Sequence, residues 1–329
     1  MRQGNICTRA GIRGTLLMCL LMLSCGNAWP AGSAPEKYIY IASQEGSSVS
    51  IVDVQTDSVV QQISVPDKPV FVAVNRDGSR AYVTHPDLAK ISVLDLKSGQ
   101  VLKVHDFPGE PFAATLSPDE TSLFVSDWKD NAVVRIDVET GKESGRLTVG
   151  ASPAGLTLDA ACRRLYVANR ESGSVSVIDA LAWKSLYSVP VGASPFALAS
   201  HDDQIYVANV KDNTLSRLES GSHRETWHAK MEAMPYGIAV TQDGQQAWVT
   251  AQQRGVLQRI NADGTVVQPA VKVGRYPEGV AIANNRAYVA SWFDDAVAVV
   301  DLATGQVSKK IKVDEGPRIV ATRSFCKKE

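Results

Sequence analysis

Seven side chains in this sequence combine reactive or adhesive chemistry with unusual placement: His85, Trp128, Arg170, Tyr236, Glu278, Trp292 and Arg318. Arg318 follows Pro317 where comparable segments carry Val70, Phe112, Ala154, Phe196 or Tyr236, so a cation stands where apolar or aromatic groups are usual. A guanidinium there suits an anionic or carboxylate-bearing ligand through a forked contact. The competing reading is an ion pair with Glu278. His85 offers an imidazole able to move protons. Trp128 and Trp292 occupy equivalent positions where other segments have Gln44, Arg170 or Val210, so they are not repeat core. Aromatic rings beside convergent polar groups are the material of ligand and protein sites; the alternative is that they cover a channel mouth or pack on a neighbouring loop.

What must position these residues is a repeat. Tyr40, Tyr82, Phe124, Tyr166, Tyr206, Trp248 and Tyr288 each begin a short β-branched run, at gaps of 42, 42, 42, 40, 42 and 40 residues. Around Tyr166 one unit reads SPAGLTL, RLYVAN, SVSVID and SLYSVPVG, four Val-, Ile- and Leu-rich segments divided by Gly, Pro, Asp and Ser. That is the pattern of four antiparallel strands with tight turns. Four strands per period of roughly 40 to 45 residues is the signature of propeller blades. The spacing therefore predicts an all-β, seven-bladed β-propeller of four-stranded antiparallel blades over 29–329, a single domain. The first blade lacks its inner strand, and the chain ends on an eighth Pro-led segment, GPRIVATRSF. Pro317 to Arg323 is thus expected to close the ring beside Tyr38 to Ala42, Val49 to Asp53 and Val59 to Val65, because both partners would otherwise present open strand edges.

Residues 1–28 read as a signal peptide. Three arginines precede the apolar run LLMCLLML, which is too short to span a membrane, and Gly26-Asn27-Ala28 offers small residues before a cut after Ala28. A lipid-modified Cys25 is the rival reading, weakened by Leu23 where a small residue is usual. Either way the mature chain is expected to be periplasmic or secreted, with no transmembrane segment. The leader holds three of the 34 basic residues and none of the 35 acidic ones, so the mature chain carries a net charge of −4, which opposes nucleic-acid binding. A monomer is expected.

Cys162 and Cys326 remain outside the leader. Aligning PAGLTLDAAC with PRIVATRSFC puts them in the same turn of nearly opposite blades, farther apart than the roughly 7 Å that bridged Cα atoms allow, so a bond between them is disfavoured. It stays open only because Cys326 sits on a terminal tail.

Several repeated residues look chemical but read as architectural. Asp53, Asp95, Asp137, Asp179 and Asp301 each open a turn whose amides a carboxylate can accept. Gly155, Gly237 and Gly279, with Ala113 and Ala197, are small where inner strands crowd the axis; Phe71 and Ile319 depart from that rule. The five histidines lack metal-ligand spacing, and there is no G-x-S-x-G elbow, phosphate loop or haem Cys-x-x-Cys-His. No metal or cofactor is expected.

The segments IYIAS, AYVTH, LFVSD, LYVAN, IYVAN, AWVTA and AYVAS, with SVSIVD, SVSVID and AVAVVD after them, resemble the YVTN-repeat family of bacterial propellers from Glu36 to Phe325. That resemblance implies an extracytoplasmic binding or assembly factor. The wider superfamily resembles the large subunit of methylamine dehydrogenase, the haem-binding propeller of a nitrite reductase, and lactonases, and fold does not choose among these. The favoured expectation is a non-enzymatic binding protein that holds a partner protein or small anionic ligand on one propeller face, as an accessory to a periplasmic redox system in one version. The alternatives are a quinoprotein-like or lactonase-like enzyme using His85, Glu278 or Arg318, and a cell-envelope scaffold or adhesion lipoprotein.

Overall fold

Each repeat places a largely apolar strand between two flanking ones, and stacked sheets can bury such a strand on both faces. In the computed structural model, which describes residues 36–324, the second strands are buried along almost their whole length, as in Arg164–Asn169 and Gln204–Asn209. The outermost strands alternate instead: Glu225–Lys230 has every second residue exposed, because one face meets water. The result is seven four-stranded antiparallel sheets arranged as blades.

Six blades use consecutive strands. The seventh, numbered blade 1 here, joins the two ends of the described chain, in the order Pro317–Ala321, Tyr38–Ser43, Ser48–Asp53, Ser58–Ser64. Tyr40 pairs with Ala321, Ile41 with Val320 and Ala42 with Ile319. Blades 2 to 7 then follow in chain order, with inner strands Phe71–Val74, Pro111–Leu116, Pro153–Leu158, Pro195–His201, Pro235–Val240 and Pro277–Ala283.

The repeated aromatic residue glues each blade to the next. All seven are at most 3% exposed. Tyr82 of blade 2 packs with Leu116, Leu123 and Val134 of blade 3, and Tyr288 of blade 7 packs with Ile39, Ile41 and Val52 of blade 1, so the core runs between blades and around the ring. A buried ring of this size contributes about 2–3 kcal/mol. The Asp residues at strand ends do what turn carboxylates do: Asp53, Asp95, Asp137, Asp179 and Asp301 each accept the backbone N–H groups two and three residues on.

The tail departs from the expected repeat. Instead of turning within blade 1, it crosses to blade 2, where Arg323 bridges Val74 and the Ser324 N–H donates to the Val74 carbonyl at 2.9 Å. Cys162 is disulfide-bonded, and its partner lies outside the described residues, as do the leader, the cut after Ala28, Cys25 and Cys326. Among the described residues, no helix is long and apolar enough to cross a membrane.

Candidate functional site

In six of the seven blades a bulge interrupts the pairing of the inner strand at its leading proline. In blades 3 to 7 the pairing between inner and second strands skips the two residues after the leading proline, for example between Pro111 and Ala114 or between Pro277 and Val280. Blade 1 shifts register at Pro317 as well. Bulges re-aim side chains next to sites, and here they project Phe112, Phe196, Tyr236, Glu278 and Arg318. Hydroxyls in the second strands fasten the bulges. Thr250 accepts the Gly237 N–H at 2.7 Å and donates to the Glu278 carbonyl of the next blade at 2.7 Å. Thr84 and Ser126 donate likewise to Phe112 and Ala154.

Arg318 is the centre of the mouth. Its Nη1 donates to Gln44 Oε1 at 2.6 Å and its Nη2 to the Tyr236 hydroxyl at 3.2 Å. Its Nε lies 3.5 Å from Glu278 Oε2, an ion pair rather than a hydrogen bond. The guanidinium carbon sits 5.5 Å from the centroid of the Phe112 ring. Phe112 meets Phe196 edge-on at 5.5 Å, and Phe196 meets Tyr236 at 4.2 Å, so Arg318 completes a closed circuit over the channel. Of five guanidinium N–H groups, hydrogen bonds occupy two and the Nε–H faces Glu278; one proton on each Nη has no acceptor among the described residues. That leaves the end-on pair that a carboxylate takes.

Burial sets the electrostatics. It works against the charge on Arg318, but Tyr236 and Glu278 outweigh it and hold the guanidinium pKa above its ordinary value. Burial also pushes Tyr236 up, with Arg318 opposing. Glu278 is 5% exposed, and burial raises its carboxyl to about 7 against the pull of Arg318. Gln252 donates to Glu278 Oε1 at 3.2 Å, while Glu278 Oε2 and Gln252 Oε1 have no hydrogen-bond donor among the described residues.

The sign of the resulting pH dependence follows from linkage. A carboxyl whose pKa is higher folded than unfolded binds its proton more tightly in the native state, so its contribution is complete below the unfolded value near 4.5 and is lost as pH rises through about 7. The loss is on the order of 3 kcal/mol. Buried Glu36 shifts in the same direction, so the comparison must be between slopes. Thermal melts from pH 4.5 to 8 should show the wild type losing stability relative to Glu278→Gln; parallel curves would mean that Glu278 is ionised throughout.

The sequence candidates divide. Arg318, Glu278 and Tyr236 come together directly. Trp128 joins them through Phe112, at a ring distance of 5.0 Å, and Arg170 lies over the Trp128 ring at 5.7 Å. Trp292 opens the 3-10 turn Trp292–Asp294, half-buried, its N–H donating to the Tyr276 carbonyl; it makes no ring contact among the described residues.

His85 does not join the mouth. It is fully buried, with Nδ1 donating to the Asp67 carbonyl at 3.1 Å and Nε2 accepting from Ser92 Oγ at 2.9 Å. Burial depresses its pKa. The same span of seven residues links Asn169 to Ser176 and Asn209 to Ser216, so His85 is the clamp residue of its blade, tying the loop before the inner strand to the third strand. Both nitrogens are occupied, which leaves none to act as a general base. The signal was in the repeat itself, where the last letter of AYVTH aligns with that of LYVAN and IYVAN.

Two contributors escaped sequence reasoning: Thr250 holds Glu278 through its backbone, and Asp87 adds negative potential at Arg318. Phe71 and Ile319, noted in the sequence only as exceptions to the small-residue rule, line the channel. A short polar side chain inside a strand carries no linear signal of the neighbour it fastens.

No protein-family profile matches the chain, and no curated protein matches it. Solved structures do. A functionally unknown protein from Desulfotomaculum acetoxidans aligns with a TM-score of 0.76 at 13% identity, over 88% of this chain and 99% of that one. A putative 6-phosphogluconolactonase from Bacteroides uniformis gives 0.74 at 14%, over 88% and 100%. Hydrazine synthase of Kuenenia stuttgartiensis gives 0.71 at 18%, over 85% and 98%. At such identities the likeness is one of fold, and the fold is the seven-bladed propeller.

Proposed function

We propose that this chain is an extracytoplasmic propeller binding protein whose Arg318 face holds a small anionic ligand. One observation carries the reading: a charged, largely buried guanidinium sits over the channel with two N–H groups that have no acceptor among the described residues. The aromatic circuit of Phe112, Phe196 and Tyr236 excludes water around that charge, which strengthens a forked contact. Trp128 and Arg170 extend the surface outward for a larger ligand or partner. Binding is favoured over catalysis because His85, the imidazole the sequence offered as a proton carrier, is committed to the fold.

Isothermal titration with small carboxylates and their matching neutral amides tests the reading. Saturable one-to-one binding of acids, at least tenfold tighter than amides, is expected; equal affinities, or no heat from either series, would overturn it.

A further inference from the structure

Beneath the mouth lies a cavity of about 190 Å³ on the propeller axis. Leu156, Leu198, Ile238, Val280, Ile319 and Val320 form much of its wall, and Arg318 is its one charged lining residue. The radius is fixed by backbone contact rather than by mobile side chains. A Cβ on Gly237 would lie 2.3 Å from the Glu278 carbonyl oxygen, and one on Gly279 would lie 2.7 Å from Ile319 Cα, so the inner strands are already at closest approach. An apolar cavity of roughly 150 Å³ is enough to stay dry and accept a benzene ring.

We propose that the ligand is an amphiphilic monocarboxylate of about the size of benzoate or a short-chain fatty acid, its apolar body in the axial channel and its carboxylate on the Arg318 fork. The inference rests on the anion reading above and adds the shape and charge of the ligand. Apart from Tyr236 and Arg318 at the mouth, the lining side chains are apolar and supply no partner for hydroxyl or amino groups, so a polar body would lose much of its hydration without replacement. A single negative charge is favoured because Arg318 is already flanked by Glu278 at 3.5 Å and feels Asp87 from the turn Pro86–Leu88. A second anionic group on the ligand would meet those carboxylates. Contact with the channel should dominate selectivity: each buried methylene adds about 0.8 kcal/mol, so a chain of four carbons beyond acetate is worth two orders of magnitude in affinity.

The test is calorimetry of the wild-type protein with acetate, hexanoate, benzoate and glutarate at pH 8, where Glu278 is ionised, joined to displacement of toluene followed by saturation-transfer NMR. Hexanoate and benzoate should bind at least tenfold more tightly than acetate or glutarate, and benzoate should displace toluene. Leu198→Phe, which fills the channel, should remove that preference while leaving acetate binding. Should the variant fail to fold, toluene displacement in the wild type carries the same information. Acetate binding as tightly as benzoate, or toluene undisturbed by saturating benzoate, would overturn the channel inference and leave the anion reading standing. Absence of binding by all four acids would overturn both.

Discussion

Ending the chain at Glu315 should leave no soluble, cooperatively melting propeller. The deletion removes Pro317–Ala321, the inner strand of blade 1, with its ladder to Tyr38–Ser43. It takes Val320 out of the core shared with Ile39, Ile41 and Tyr288. It strips Arg323 from Glu36, a carboxylate with a largely buried side chain, and leaves Gly279 of blade 7 facing a void where Ile319 stood. Ladder hydrogen bonds at about 1 kcal/mol each and two aliphatic side chains at about 1.5–3 kcal/mol each sum to the order of a domain's whole stability. The exposed edge would also invite strand pairing between molecules. Size-exclusion chromatography and circular-dichroism melts check this: aggregation or a broad, non-cooperative transition is expected. A cooperative melt within a few degrees of the full chain would show that the ring does not depend on its closing strand.

The second large effect is at Arg318. Arg318→Ala should weaken carboxylate binding by about a hundredfold or more, the usual consequence of deleting one member of a buried charge pair. Part of that loss would come from Glu278, left buried without its cation, so Arg318→Ala should also be measured in a Glu278→Gln background, where the residual loss belongs to the ligand contact alone. Arg318→Lys discriminates between kinds of contact. An ammonium keeps the charge but cannot reach Gln44, Tyr236 and a carboxylate with a planar fork, so binding should fall nearly as far as in the alanine variant. Retention of affinity within about threefold by lysine would mean that Arg318 acts as a point charge.

The architecture was legible because it is periodic. Seven aromatic residues at almost equal gaps demanded seven like units, and an unpaired Pro-led segment at one end demanded an unpaired blade at the other. The same periodicity exposed Arg318 and Glu278 as departures from an apolar position, and the structure places them 3.5 Å apart. Where the repeat stopped, inference from it stopped too. Pro317 to Arg323 was expected to be one inner strand of blade 1, yet the strand stops at Ala321 and Arg323 bridges Val74 of blade 2. His85 was singled out for its chemistry, although its position is that of Asn169 and Asn209, whose side chains do the same clamping with amides. A reactive side chain and a structural one can occupy the same slot; only its partners show which it is. The closed circuit of Phe112, Phe196, Tyr236 and Arg318 brings together residues of four blades, a relation that linear sequence does not display.

The most direct test of the account is a crystal of the mature protein soaked with 4-bromobenzoate at pH 6, read by bromine anomalous scattering. The account predicts one peak on the propeller axis, beneath the Phe112, Phe196 and Tyr236 rings, with carboxylate density on the Arg318 Nη atoms. Bromine found only at surface sites, with Arg318 still bound to Gln44, Tyr236 and Glu278 alone, would contradict it.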